Sequence, residues 1–230
     1  MASKPSAPTH GRKTPKRAPA KRATPNPADK PTVSRNDDAG RRPRVRDARP
    51  KIERAALELF VNVGVDAATT REIAENAQVS EGALYRHYKG KDELALALFM
   101  ETHKRLSVML AEALGGPGNL DEKVHAAVAA YCTLADEDFL LFSFHLVSLN
   151  KYLPYDKRRE DDPVSITERI ISGLIEAGAI PAGDPALKAA MALGVVMQAG
   201  QNKIYNRLPG PLLKHAPALS RGVLAVLKSS

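Results

Sequence analysis

Apolar residues recur at helical spacing along most of the chain beyond residue 48, and no segment shows sustained period-two alternation. The first stripe is Ile52, Ala55, Ala56, Leu59 and Phe60. It predicts a helix from near Pro50, a residue tolerated in a first turn, to Val63, with Gly64 closing it. Thr69 and Glu72 form a capping-box pair before a short helix with Ile73, Ala74 and Ala77 on one face. Ser80 caps a second short helix that runs through about Tyr88. From Lys91 to about Leu114 a long helix starts almost wholly apolar at 94–100, then narrows to Phe99, His103, Leu106, Leu110 and Ala113. The sequence GGPG at 115–118 breaks it. Five helical segments follow, near 120–135, 138–151, 163–177, 185–208 and 211–228, and Pro217 kinks the last or marks its true start. The expectation is an all-α chain.

Two short helices joined by a tight turn are a helix-turn-helix, whose second helix enters the major groove of DNA. With Leu84 facing inward at about 100° per residue, Tyr88 completes the core face. Arg86 then points almost directly outward, with Gly82 and Lys89 near the same side and Tyr85 and Ala83 on its flanks. A helix lying against a duplex needs small residues at close approaches and an Arg fork for guanine edges or phosphate. The alternative is the solvated face of an ordinary helical hairpin. Cap, turn, small residues and basic outer face coincide here, which favours DNA.

This stretch resembles the DNA-binding domain of the TetR family of transcriptional regulators. The pattern comprises Ile52, Ala55-Ala56, Leu59-Phe60, Gly64, Thr69-Thr70, Ile73-Ala74, Val79-Ser80, Gly82, Leu84-Tyr85, His87-Tyr88, Lys91 and Leu94. It covers about residues 48–100. Gln78 stands where the family usually has a turn glycine, Gly90 replaces a polar cap, and Tyr88 replaces a Phe. The resemblance implies a three-helix DNA-binding domain over 48–108, with its helix-turn-helix at about 71–90. It also implies a helical ligand-binding and dimerisation domain over 109–230. With the helix geometry, it names Thr70, Arg71, Ser80, Gly82, Ala83, Tyr85, Arg86, His87, Lys89 and Lys91 as DNA contacts. Arg86 and Ala83 are assigned to base edges, and Tyr85, His87, Lys89 and Lys91 to phosphates.

Charge adds a third region. Residues 1–46 hold 13 basic against 3 acidic residues, and 9 of the 17 prolines fall in the first 50 positions. Such a segment buries too little apolar surface to offset ordering, so residues 1–47 are expected to be a disordered basic tail. Arg41, Arg42, Arg44 and Arg46 are placed either to act as an arm on phosphates or in the minor groove, or merely to solubilise.

The lone Cys132 excludes an intramolecular disulfide framework and suits a reducing cytoplasm; the family resemblance implies a prokaryotic cytoplasm, in association with the nucleoid. No run approaches 18 apolar residues, so no membrane helix is expected, and the N-terminus lacks a secretory h-region. There is no Gly-rich phosphate loop, no metal-ligand spacing and no nucleophile motif, so neither an enzyme nor a cofactor is expected.

The resemblance implies a homodimer in which the last two helices pack against their symmetry mates; the small residues of 185–208 and the apolar ones of 211–228 suit it, the alternative being core of a monomer. A pocket for an apolar or aromatic small molecule would involve His103, Tyr131, Phe142, His145, Tyr152 and Met191, although such a set at helical spacing also suits plain core. The expected function is a ligand-released homodimeric repressor on a pseudo-palindromic DNA operator. The alternative is a DNA-coating protein driven by the basic tail.

Overall fold

A computed structural model describes residues 47–153 and 161–229, which belong to one compact unit. Residues 1–46 of the predicted tail lie outside the described residues, as does most of the charged run after Leu153. Every regular element among the described residues is a helix.

Helix α1 (Arg49–Val63) has Pro50 in its first turn and ends at Gly64, whose φ of 84° is a left-handed conformation that suits glycine. Helix α2 (Thr70–Asn76) carries the capping box, with Thr69 accepting from the Glu72 N–H and Glu72 accepting from the Thr69 N–H. Helix α3 (Glu81–Tyr85) is capped by Ser80 and is shorter than the sequence predicts; one further turn carries the chain to Tyr88. Helix α4 (Lys91–Gly115) is the long connector. Helix α5 (Leu120–Glu137) starts at an Asn119–Glu122 capping box, and α6 (Phe139–Tyr152) starts at Asp138. Helices α7 (Pro163–Glu176) and α8 (Pro185–Ile204) each begin with an aspartate cap followed by Pro. A 3-10 turn at Leu212–His215 leads into α9 (Ala216–Leu227), so Pro217 marks a true start.

Two hydrophobic cores form. The first joins α1, α2, α3 and the first half of α4, with Ile52, Ile73, Leu84, Leu94 and Phe99 almost fully enclosed. It also takes Phe144 and Tyr152 from α6. The Phe144 ring lies 5.6 Å from Phe60 of α1, and Tyr152 lies 5.5 Å from Phe99. The second core fills the space between α5, α6, α7, α8 and α9. Helix α6 therefore belongs to both. Polar contacts repeat that docking: Arg54 pairs with Asp138 at 3.1 Å, and Lys151 with Asp66 at 2.8 Å.

The last two helices are pinned at both ends. Asp136 accepts the N–H groups of Leu212 and Leu213 at 2.8 Å each and pairs with Lys203 at 3.1 Å. Burial pushes its carboxyl up, but those donors outweigh burial and hold it below the usual carboxylate range. At the other end, buried Lys188 donates to the Leu227 and Ser229 carbonyls, which satisfies the C-terminal groups of α9.

Candidate DNA interface and apolar cavity

The α2–turn–α3 unit presents one outward face. Tyr85, Arg86, His87 and Lys89 are exposed, as are Arg71, Ser80 and Gly82, while Thr70 is half-buried. The Tyr85 and Thr70 hydroxyls approach to 3.3 Å, which links the start of α2 to the second helix. Arg86 and Lys89 have no acidic partner among the described residues, so their full charge faces outward. Arg71 is paired with Glu75 at 2.9 Å, and His87 lies 3.9 Å from Asp47.

Two assignments change. Ala83 is only 6% exposed and packs on the inner side beside Leu84, because residues 83 and 84 together form the buried stripe of this short helix. Its side chain is not available to a base edge. Lys91 spends two of its three N–H donors on the carbonyls of Asp66 and Ala68, at 2.6 and 2.8 Å. That fastens the start of α4 to the loop before α2 and leaves one donor for a phosphate.

The turn between the helices contains Gln78 at φ 55°, in the left-handed region that costs a non-glycine residue about 1–2 kcal/mol. Beyond α3, the Tyr88 hydroxyl donates to Glu53 at 2.5 Å and accepts from Arg49 at 3.1 Å. Arg49 also pairs with Glu53 at 2.6 Å and reaches Glu101 of α4 at 3.6 Å. Burial, then the Glu53 carboxylate, push the Tyr88 phenol up to about 12. The hydroxyl that distinguishes Tyr88 from Phe thus binds the end of the second helix to α1 and α4.

The second site is a cavity of about 340 Å³ in the C-terminal half, bounded by α4, α5, α6, α7, α8 and α9. His103, Tyr131 and His145 line it. The two imidazoles share a 3.1 Å hydrogen bond and stack on Phe99, with centroids 5.4 and 4.8 Å away. Burial, reinforced by His103, drives the pKa of His145 down to about 3, so the ring stays neutral.

The other three expected pocket residues do not line the cavity. Phe142 packs edge-on to Tyr131, 5.3 Å between centroids, in the second core. Tyr152 belongs to the first core. Met191 is 45% exposed, because Ala192 and Val196 set the inward phase of α8. Most of the lining is aliphatic: Leu106, Leu110 and Leu114 on α4, Val124 and Val128 on α5, with Lys123 as the one lysine or arginine among the described lining residues. The α4 stripe beyond residue 99 was the available signal for it. No group of three or more potential metal ligands occurs among the described residues, and none of their helices is long and apolar enough to cross a membrane.

Residues 52–98 match the family model described as bacterial regulatory proteins, tetR family. The chain is 48% identical over 54 residues to the tetracycline repressor protein class A from transposon 1721 of Escherichia coli, covering 22% of this chain and 25% of that protein. It is 33% identical over 99 residues to the transcriptional activator FasR of Mycolicibacterium smegmatis, covering 43% and 44%. The chain thus spans between a quarter and under half the length of these curated relatives. Its fold is similar to that of FadR from Bacillus subtilis, a transcriptional regulator solved in complex with stearoyl-CoA. The TM-score is 0.62 at 19% identity, over 77% of this chain and 98% of that one.

Proposed function

We propose that the chain, whose residues 52–98 match the model of the TetR family of bacterial regulatory proteins, acts as a homodimeric, ligand-released transcriptional repressor on a pseudo-palindromic operator. The observation that carries this reading is the unpaired, outward Arg86 on a helix-turn-helix whose Ser80 cap, Gly82 and Lys89 share the exposed face. Arg86 reads a base edge, and Tyr85, His87 and Lys89 grip phosphates, joined by the remaining donor of Lys91. Thr70, Arg71, Ser80 and Gly82 complete the contact surface.

Dimerisation uses the outward faces of α8 and α9. Leu187 and Met191 are 58% and 45% exposed on α8, and Gly194 and Gln198 continue that face. On α9, Ala218 and Ala225 are exposed small residues that admit a close partner. An isologous four-helix contact would set two reading heads on successive major grooves.

Release follows from α4, which is fastened through Lys91 to the loop that leads into α2 and lines the cavity from His103 to Leu114. A ligand that fits the cavity better in the released arrangement shifts the population away from the DNA-bound one. The repressor sign follows that of the tetracycline repressor, whereas FasR is a transcriptional activator.

The test is selection of genomic DNA fragments by the full-length protein at near-physiological salt. The expected result is a short pseudo-palindrome from few sites. On that operator, Arg86→Ala weakens binding by about 1–3 kcal/mol and leaves random DNA nearly unaffected. Broad recovery without a motif overturns the proposal and returns the DNA-coating alternative.

A further inference from the structure

The side chains around the cavity set the charge of the molecule it takes, an inference that rests on the effector reading above. Helix α5 turns one stripe toward the cavity, formed by Leu120, Lys123, Val124, Ala127 and Val128. Steps of three and four residues keep such positions on one helix face. Lys123 is the charged member of this otherwise apolar stripe, and it is half-buried. Partial burial of an ammonium costs hydration, which a fold ordinarily returns through a hydrogen-bonded or charged partner. Among the described residues Lys123 has no such partner. The two carboxylates that precede it are engaged elsewhere: Asp121 pairs with Lys228 at 2.7 Å, and Glu122 accepts the Asn119 N–H at 2.9 Å.

The rest of the described lining contains neither an acidic residue to receive a cation nor a second lysine or arginine. Its other polar groups are occupied or out of reach. The Thr167 hydroxyl donates to the Pro163 carbonyl at 2.7 Å, within its own helix. The His103 and His145 rings hydrogen-bond to each other at 3.1 Å, and burial keeps His145 neutral. The Tyr131 hydroxyl is buried and packed at Gly200. The remaining walls are largely aliphatic, with Leu106 and Leu110 on α4 and Ile171 and Leu174 on α7. The cavity volume of about 340 Å³ falls at the small end of the range of about 300–1,000 Å³ for ligand cavities.

We propose that the cavity binds a small apolar molecule carrying one acidic group, its anion on the Lys123 ammonium and its apolar body among the aliphatic side chains of α4, α5 and α7. The acidic group supplies the counter-charge that the described residues do not give Lys123, and the body gains by leaving water. A cationic head on the same body would meet a like charge instead.

Calorimetric titration of the full-length protein with decanoate, decanol and decylammonium, which share one apolar body and differ in charge, tests this without DNA. Decanoate should bind about tenfold more tightly than decylammonium. Lys123→Met, which keeps an apolar stem on the stripe and removes the charge, should weaken decanoate about tenfold and leave decanol unchanged. Lys123→Glu should reverse the order of decanoate and decylammonium. Equal affinity of parent and Lys123→Met for decanoate would reduce the lysine to a stem that covers apolar surface, and overturns the proposal. Decylammonium binding as tightly as decanoate, an unreversed order in Lys123→Glu, or no binding of decanoate overturns it as well. Release of the operator is measured separately: decanoate that binds through Lys123 and leaves the DNA complex intact refutes the effector reading while this inference stands.

Discussion

Lowering the pH from 7.5 to 5.5 should cost this fold about 1.4 kcal/mol through His145 alone. The ring is 5% exposed, wedged between Phe99 and His103, and burial together with that second imidazole holds its pKa at about 3. In the unfolded chain the same side chain titrates near 6.5. The folded value lies below the unfolded one, so the unfolded state binds the extra proton. The stabilisation is complete above about pH 6.5 and is lost as the pH falls from there toward the folded value. At pH 5.5 the unfolded imidazole is about ten-elevenths protonated while the folded one is neutral, and two pH units from 7.5 integrate to about 1.4 kcal/mol. The figure requires only that the folded pKa lie well below 5.5. Because the two histidines share a hydrogen bond, the missing proton belongs to the pair. For a chain of this size the loss corresponds to about 3–6 °C in Tm. Thermal unfolding followed by circular dichroism at both pH values, on the parent and on His145→Gln, isolates it from the other titrating groups. The variant should lose that much less on acidification, whatever its starting Tm. An identical acid-induced drop in both proteins would show that the pair takes up its proton in the folded state, and the desolvation argument would fail.

Two further substitutions probe the DNA-binding half. Tyr88→Phe removes the hydroxyl shared by Glu53 and Arg49 and should destabilise the protein by about 1–2 kcal/mol. A double-mutant cycle with Glu53→Gln should return a coupling of similar size, and zero coupling would reduce the contact to coincidence. Gln78→Gly relieves a left-handed backbone at about 1–2 kcal/mol but adds about 0.5–1 kcal/mol of unfolded-state entropy. Denaturant unfolding should therefore show a neutral to slightly stabilised variant, and a clear destabilisation would mean that the Gln78 side chain contributes something the backbone account omits.

The parts of this fold that were legible in the sequence are those set by local chemistry. The Thr69–Glu72 box, Gly64, and the prolines opening α1, α7 and α8 each act within one turn of themselves, so reading them needs no tertiary information. Ala83 and Met191 went astray because their burial is decided by helix phase, which one residue can turn by about 100°.

Helix α6 resisted for a deeper reason. The run Phe139 to Leu146 is apolar nearly all round, interrupted by Ser143 and His145, so its periodicity selects no face. The physical cause is that α6 has two cores to satisfy. Phe144 and Tyr152 enter the first, Phe142 and Leu146 the second, and His145 lies between them at the cavity. A division at residue 108, drawn along α4, therefore severs a core that α6 completes. This changes how the two halves are joined. Helix α4 is a covalent connection, but α6 adds a packed one, with Phe144 against Phe60 and Asp138 against Arg54 on α1. His145 and Phe144 are adjacent residues, so any ligand that displaces the cavity-lining imidazole strains a side chain buried against the DNA-binding core. Close-packed interiors respond to such displacement by switching between discrete arrangements, since a gap of even a methylene is costly. Two helices moving together would rotate the reading head as a body, whereas α4 alone would leave α1 held by its contacts to α6.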